Sequence, residues 1–403
     1  MIAKNLKMSF SKLKKLIMNP KKFFLDSLYF KKIDIKIESK GNNIFVVSHL
    51  SQLERVEKFI KINQIQKNIL IILYTKKNII MPKLINSNLN KTCFNESILI
   101  ELPINPNDFS IKKNIYIKRL YQYLIDNISA RNIYFLSFEN HYCLLHNIAS
   151  LKGMKLYLIE EGTATYKDRE ESNYIKCNSF IKKFIFKFFK IENTLGDCRE
   201  YNEVFGFFPK KLSCLFSAKK FTFFNPFILD SIEKKDISKL FYKYKISSND
   251  YIFLLQRYNL NNELYINNVI KIALLFINEN NKVFFKLHPK NSKLFKEIFQ
   301  MKIKDYNNLF IIDEKDFQIE LIISKIQLKG VIGLTSSTLI YTPVINKNII
   351  SYSIYPLFVK LLPKKDISLH VLEVMEKHFS ILKKFENIEY IYSETDIMRL
   401  TNK

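Results

Sequence analysis

A chain of 403 residues with 47% hydrophobic and 25% charged side chains is too long for one ordinary core and carries apolar mass for two, which excludes a disordered or fibrous protein. Its formal charge of +26 comes from lysines spread along the whole chain beside abundant Asn, Ile and Phe, a bias of composition rather than a basic patch, so no nucleic-acid partner is expected. Five cysteines, Cys93, Cys143, Cys177, Cys198 and Cys214, show no CxxC spacing and suggest neither a disulfide framework nor a zinc site, which fits a reducing compartment.

Residues 1–32 carry nine Lys and a single acid, Asp26, with Leu6, Phe10, Leu13, Ile17, Phe23, Phe24 and Leu28 interleaved. A basic amphipathic helix of this kind suits an anionic membrane surface, and it equally suits docking on a first domain. No apolar stretch reaches the ~18–20 residues that span a bilayer, and the N-terminus lacks the compact apolar core of a signal peptide. The expected location is cytoplasmic, peripheral on the inner face of the membrane.

From Asn43 onward, short apolar runs alternate with helical periodicity. Strands are predicted at Ile44–Val47, Ile69–Leu73, Ile98–Leu102, Ile133–Leu136 and Leu156–Ile159, with helices around Leu53–Ile62, Tyr116–Ile128 and Tyr142–Leu151. An aromatic, Lys-rich helix at Phe180–Ile191 precedes a loop-like passage from Asn193 to Asn225, which holds Gly196, Gly206 and Pro209. Alternation resumes with strands at Tyr251–Leu255, Val283–Leu287, Leu309–Ile312, Gly330–Gly333 and Ile349–Tyr352. Between them fall helices around Leu264–Ile277, Lys293–Met301 and Ile319–Ile326, and one starting near Ser337. Strands that are apolar at every position belong to parallel sheet covered on both faces. The expected architecture is therefore α/β, two Rossmann-like domains, 1–215 and 216–403, facing each other across a central cleft.

Ligands of open α/β sheets sit beyond the carboxyl ends of the strands, so the chemistry is sought there. Leu156–Ile159 runs into Glu160-Glu161-Gly162, where crowded carboxylates favour a general base, or one acid caps and the other is solvated. Val283–Leu287 runs into His288-Pro289; Lys286 shares a face with His288 by the period of two, a cationic pair suited to a phosphate. Gly330–Gly333 runs into Thr335-Ser336-Ser337-Thr338 at the start of a helix, an arrangement that caps the helix and attracts an anion. Secondary candidates are His49 after the first strand, Glu139-Asn140-His141, and Gln256-Arg257. His146, His370 and His378 fall within helical patterns and are expected to pack or face solvent. No Asp-x-Asp stands at a strand end to hold Mg²⁺, and glycine is too scarce for a Walker loop or a Gly-rich dinucleotide turn.

In this order and spacing, Glu160-Glu161-Gly162, His288-Pro289 and Ser336-Ser337 resemble the motif set of bacterial sialyltransferases, nearest to the lipooligosaccharide sialyltransferases and capsular polysialyltransferases. The basic opening Lys12-Leu-Lys-Lys-Leu-Ile-Met-Asn-Pro-Lys-Lys-Phe-Phe24 is similar to the start of capsule and surface-glycan transferases. The resemblance implies a GT-B fold, with an acceptor-side domain followed by a nucleotide-sugar-binding domain. It also implies CMP-sialic acid as donor, inversion at the anomeric carbon, no metal or other cofactor, and a glycan acceptor. It carries the general base to Glu160 first and Glu161 second. It sets His288 against the CMP phosphate as acid or charge stabiliser and Ser336 and Ser337 on the same phosphate; Gly162, Lys286, Pro289, Thr335 and Thr338 are expected around the donor with them. A GT-B transferase using CMP-Kdo or a UDP-sugar, and a noncatalytic glycan- or nucleotide-binding protein, are the competing expectations.

Overall fold

A computed structural model describes residues 17–19, 33, 35–103, 110–168, 180–228, 242–288, 291–313, 319–363 and 367–401. The basic segment 1–32, apart from 17–19, lies outside the described residues, as does Pro289. The chain divides into two units, Met1–Pro226 and Phe227–Lys403, and each is built on a parallel sheet.

Beside a short parallel pair, Ser39–Lys40 with Ile128–Ser129, the first unit runs β1 (Asn43–Val47), α1 (Leu50–Asn63), β2 (Asn68–Thr75), α2 (Ile80–Asn88), β3 (Glu96–Leu102), α3 (Ile111–Asn127), β4 (Asn132–Phe135), α4 (His141–Leu151) and β5 (Lys155–Ile159). It closes with α5 (Phe180–Phe188), β6 (Glu200–Gly206), α6 (Pro209–Leu215) and β7 (Ser217–Phe223). The seven strands pair in the order β3-β2-β1-β4-β5-β6-β7, and every pairing is parallel. All five residues of β1 and the first six of β2 are buried, which is why these strands read as unbroken apolar runs. α1 buries Leu53, Val56, Phe59 and Ile60, a stripe of helical spacing.

One aromatic ladder fixes the register of the central strands. Phe45, Tyr134 and Tyr157 stand opposite one another on β1, β4 and β5, and their rings stack at 4.5 and 4.6 Å. That spacing matches the separation of neighbouring strands, about 4.7–4.9 Å, so the stack forms only in this register. Stacked pairs of this kind contribute about 0.5–1.5 kcal/mol each beyond the area they bury.

The second unit runs β8 (Tyr251–Leu254), α7 (Asn262–Leu275), β9 (Val283–Lys286), α8 (Lys293–Ile303), β10 (Leu309–Ile312), α9 (Ile319–Ile323), β11 (Gly330–Gly333), α10 (Thr338–Ile345) and β12 (Ile350–Ser353). It ends with α11 (Tyr355–Leu361), α12 (Leu369–Leu382), β13 (Glu389–Tyr390) and α13 (Glu394–Thr401). Its six strands pair in parallel in the order β10-β9-β8-β11-β12-β13. α7, α8 and α12 open on Asn261, Ser292 and Ser368, whose side chains accept from Leu264, Phe295 and Val371 N–H, caps that stabilise by about 1 kcal/mol each.

Two expectations are corrected here. The passage 193–225 is not loop-like, because it contributes β6, α6 and β7. The first unit therefore runs past the expected 215/216 boundary to Pro226, since β7 adds to its sheet as the edge strand beside β6. β7 was hidden because an edge strand needs no continuous apolar run: Ser217, Lys219, Lys220 and Phe223 are exposed along it.

Candidate active site

In both sheets the strand order reverses once, between β1 and β4 in the first and between β8 and β11 in the second. The carboxyl ends flanking such a reversal leave a crevice, and the polar motifs stand there.

In the first unit, β1 ends at Val47 and α1 starts at Leu50, with Ser48 and His49 at the elbow. Gln52, 1% exposed in the first turn of α1, reaches back to accept from Ser48 N–H at 2.7 Å and Ser48 Oγ at 3.1 Å. His49 is thereby held at the helix N-terminus in extended conformation. Its Nε2 donates to Glu161 Oε1 at 2.6 Å, because an ionised carboxylate only accepts. Its Nδ1 lies 2.9 Å from Ser51 Oγ. The His49 and Glu161 side chains are 36% and 23% exposed, so the pair stands open to an incoming molecule.

The adjacent acids have separate fates. Glu160 is 1% exposed, and its Oε2 accepts from Tyr166 Oη and from Phe207 N–H, both at 2.5 Å. This carboxylate knots the end of β5 to the end of β6, and the space it takes is kept open by Gly206, where a Cβ would stand 2.6 Å from Oε2. Glu161 points to the other side, as alternation along an extended chain requires. Its N–H donates to Thr165 Oγ1 at 3.0 Å. Gly162 follows at φ 153, ψ −156, a region open to glycine almost alone, and lets the chain turn directly behind Glu161.

Tyr142, in the first turn of α4 and 7% exposed, belongs to the same corner without any motif to announce it. Burial raises its phenol well above the ordinary range; a hydrogen bond with Ser48 opposes this and the charge of Glu161 adds to it. Tyr142 therefore stays a protonated donor. The Glu139-Asn140-His141 run serves the fold instead. Lys167 Nζ lies 3.4 Å from Glu139, and His141 Nδ1 meets Tyr121 Oη at 2.9 Å. Burial lowers the His141 imidazole to about 4. His146 packs as expected, Nε2 donating to Glu200 O at 2.6 Å with its ring edge-on to Tyr201.

In the second unit, Lys286 and Gly333 both stand level with Leu254 on the intervening β8. The loops leaving β9, β8 and β11 thus start side by side within about 10 Å, two strand spacings. Lys286 closes β9 at 9% exposure, and His288 is half-buried two residues on. Of the four hydroxyls after β11, three are engaged in holding the turn. Gln256 Oε1 accepts from Thr335 N–H at 2.6 Å, and Tyr258 Oη lies 2.5 Å from Thr335 Oγ1. Burial raises that phenol to about 12. Thr338 Oγ1 donates to Glu320 at 2.8 Å. Ser336 and Ser337 are half-buried at the tip; Ser336 Oγ accepts from Thr338 N–H at 3.4 Å, whereas Ser337, immediately before α10, makes no side-chain capping bond. Gln256 therefore acts as a clamp on this turn, whereas Arg257 is exposed. His370 and His378 lie on α12.

Known proteins share this frame. The crystal structure of Arabidopsis thaliana UGT89C1 complexed with UDP is similar at 11% identity and a TM-score of 0.50, with 90% of this chain and 89% of that chain covered. TcCGT1 in complex with UDP is similar at 9% identity and a TM-score of 0.50, with 90% of each chain covered. The fold is that of the GT-B glycosyltransferases. Comparison with curated proteins gives no match. The family model for Alpha-2,8-polysialyltransferase (POLYST) matches residues 43–355, from the first residue of β1 to the start of α11. The chain belongs to the alpha-2,8-polysialyltransferase family, and is a glycosyltransferase of the sialyltransferase kind. Among the described residues no helix is long and apolar enough to cross a membrane.

Proposed function

We propose that this enzyme transfers sialic acid from CMP-sialic acid, with inversion and without a metal, to a hydroxyl of a bacterial surface glycan, lipooligosaccharide or capsule. The family description favours an acceptor that itself ends in sialic acid, joined through an α2,8 linkage. The observation that carries the reading is the open Glu161–His49 pair at the carboxyl ends of β5 and β1.

Glu161, rather than Glu160, is the general base. His49 occupies Oε1 and orients the carboxylate, so Oε2 takes the acceptor proton as the hydroxyl oxygen attacks the anomeric carbon. The bond from that carbon to the phosphate oxygen breaks on the opposite face, which inverts the configuration. CMP departs with the bonding electrons. His288, the Lys286 ammonium and the Ser336 and Ser337 hydroxyls offset the charge on its phosphate, aided by the N-terminus of α10. Glu160 serves as a positioning residue. Residues 1–32, rich in lysine and apolar side chains, suit an anionic membrane surface near the acceptor.

The test is turnover of CMP-sialic acid on an oligosialic acceptor in excess EDTA, followed by CMP release and by the anomeric configuration of the product. Thermal shifts with CMP, CDP, UDP and GDP accompany it. Metal-independent release of CMP with an inverted product is expected. Stabilisation by UDP or GDP alone, with no turnover of CMP-sialic acid, overturns the donor.

A further inference from the structure

Helix α5 carries an apolar face that sialyl transfer does not use. The helix is seated on the first unit through Phe186 and through Ile191 just beyond it, both 0% exposed. Its C-terminus closes at Lys190, φ 52, with Lys190 N–H bonded to Lys187 O and Ile191 N–H to Phe186 O, each at 2.9 Å. Lys118 Nζ of α3 donates to Phe189 O at 3.0 Å and fixes the end of the segment. The helix is therefore held firmly by one side.

The other side faces out. Phe184 is 63% exposed and Phe188 71%, and residues four apart share one stripe of a helix. The Phe188 ring leans edge-on against Phe189, itself 38% exposed. Lys187 and Lys190 are exposed beside them. The helix sequence, Phe-Ile-Lys-Lys-Phe-Ile-Phe-Lys-Phe, has three lysines and no acid. The local field is positive enough to be felt at Lys118, whose ammonium is held below its ordinary value first by burial and then by Lys190, with Glu192 opposing.

We propose that α5 is a docking helix for a surface of anionic phospholipid, with Phe184 and Phe188 entering the acyl boundary while Lys187 and Lys190 meet headgroup phosphates. An anionic bilayer supplies both halves of this match, an apolar layer and a negative plane a few ångströms above it. A second copy of the chain would oppose lysine to lysine. The proposal does not depend on the identity of the sugar donor, so it stands whether or not the proposed reaction is right.

The chain contains no tryptophan, so Phe188→Trp places a lone indole on this face of the full-length protein. On vesicles of phosphatidylglycerol and phosphatidylcholine its emission should shift to the blue and be quenched by brominated acyl chains. On phosphatidylcholine alone it should not change. Adding Lys187→Glu and Lys190→Glu should weaken partitioning at least tenfold, as expected for reversing two lysines near a charged surface. Phe184→Trp provides a second reporter if the first variant misfolds by circular dichroism. Protein that pellets with anionic vesicles while the indole stays exposed to water overturns the proposal. A concentration-dependent blue shift without vesicles also overturns it and gives the face to a second copy. An indole already shielded from acrylamide in dilute protein overturns it too, because the chain itself then covers the face.

Discussion

Glu160 and Glu161 are neighbours in sequence, and the structure separates what their loss should do. Glu160→Ala removes the carboxylate that accepts from Tyr166 Oη and Phe207 N–H, both held at 2.5 Å. Taking this acceptor from two buried donors costs about 1–3 kcal/mol each, hence about 2–6 kcal/mol in all. For a unit the size of Met1–Pro226, where 1 kcal/mol moves Tm by about 2–4 °C, melting should fall by about 4–24 °C. Glu161, 23% exposed and paired with a His49 that is 36% exposed, should cost at most about 1 kcal/mol. On the proposed mechanism Glu161→Gln nevertheless lowers kcat by about 10²–10⁴, since the amide keeps the shape and cannot take the proton. Initial rates of CMP release and thermal melts on both variants decide the matter. If Glu161→Gln keeps more than a tenth of wild-type kcat, or Glu160→Ala melts with the wild type, the division of roles is wrong.

Other consequences follow from the same geometry. His49→Ala should lower kcat by about tenfold to a hundredfold with KM little changed, and His49→Gln, which restores an N–H toward Glu161 Oε1, should recover part of it; a rise in KM alone would make His49 a binding residue. Gly162→Ala imposes about 1–3 kcal/mol of backbone strain at φ 153, so calorimetry should show a lower Tm and rate assays a lower kcat, and an unperturbed variant would mean the turn relaxes freely. Gln256→Leu deprives Thr335 N–H of its acceptor at 2.6 Å and should weaken CMP binding by roughly fivefold or more in titration calorimetry, whereas unchanged affinity would show that the turn holds without the clamp. His141, about 4 when folded, and His146, lowered by burial, both lie below their unfolded value near 6.5. The unfolded chain then binds more protons between those values, so stability should fall from pH 7 toward pH 5 by at most about 1.4 kcal/mol per pH unit for each His, and Tm should fall with it. His141→Gln should flatten that slope, and a parallel slope would assign it elsewhere.

The second unit and the core of the first were legible because strands covered on both faces must be apolar at nearly every position. β1, β8, β9 and β11 are buried throughout, and periodicity finds them. β6 and β7 escaped because Val204-Phe205 is too short a run, and Lys219-Lys220 on the outer strand looks like loop. The strand-end motifs were legible for a topological reason: a parallel sheet sends its loops to one edge, so Glu160-Glu161-Gly162, Lys286-Leu-His288 and Thr335–Thr338 had to emerge there.

Sequence alone determined that two acids at the end of β5 point to opposite sides, and that four hydroxyls cluster after β11. Tertiary structure decided which of them are spent on the fold. Glu160 is buried because β6 brings Phe207 N–H and Gly206 against it, partners some 47 residues away, while Glu161 meets His49 across a separation of 112. Thr335 is taken by Gln256, 79 residues earlier. Alternation is a local property and can be read from neighbours in the chain. Which side of a strand end is filled, and which left open to a substrate, depends on what the sheet order places beside it.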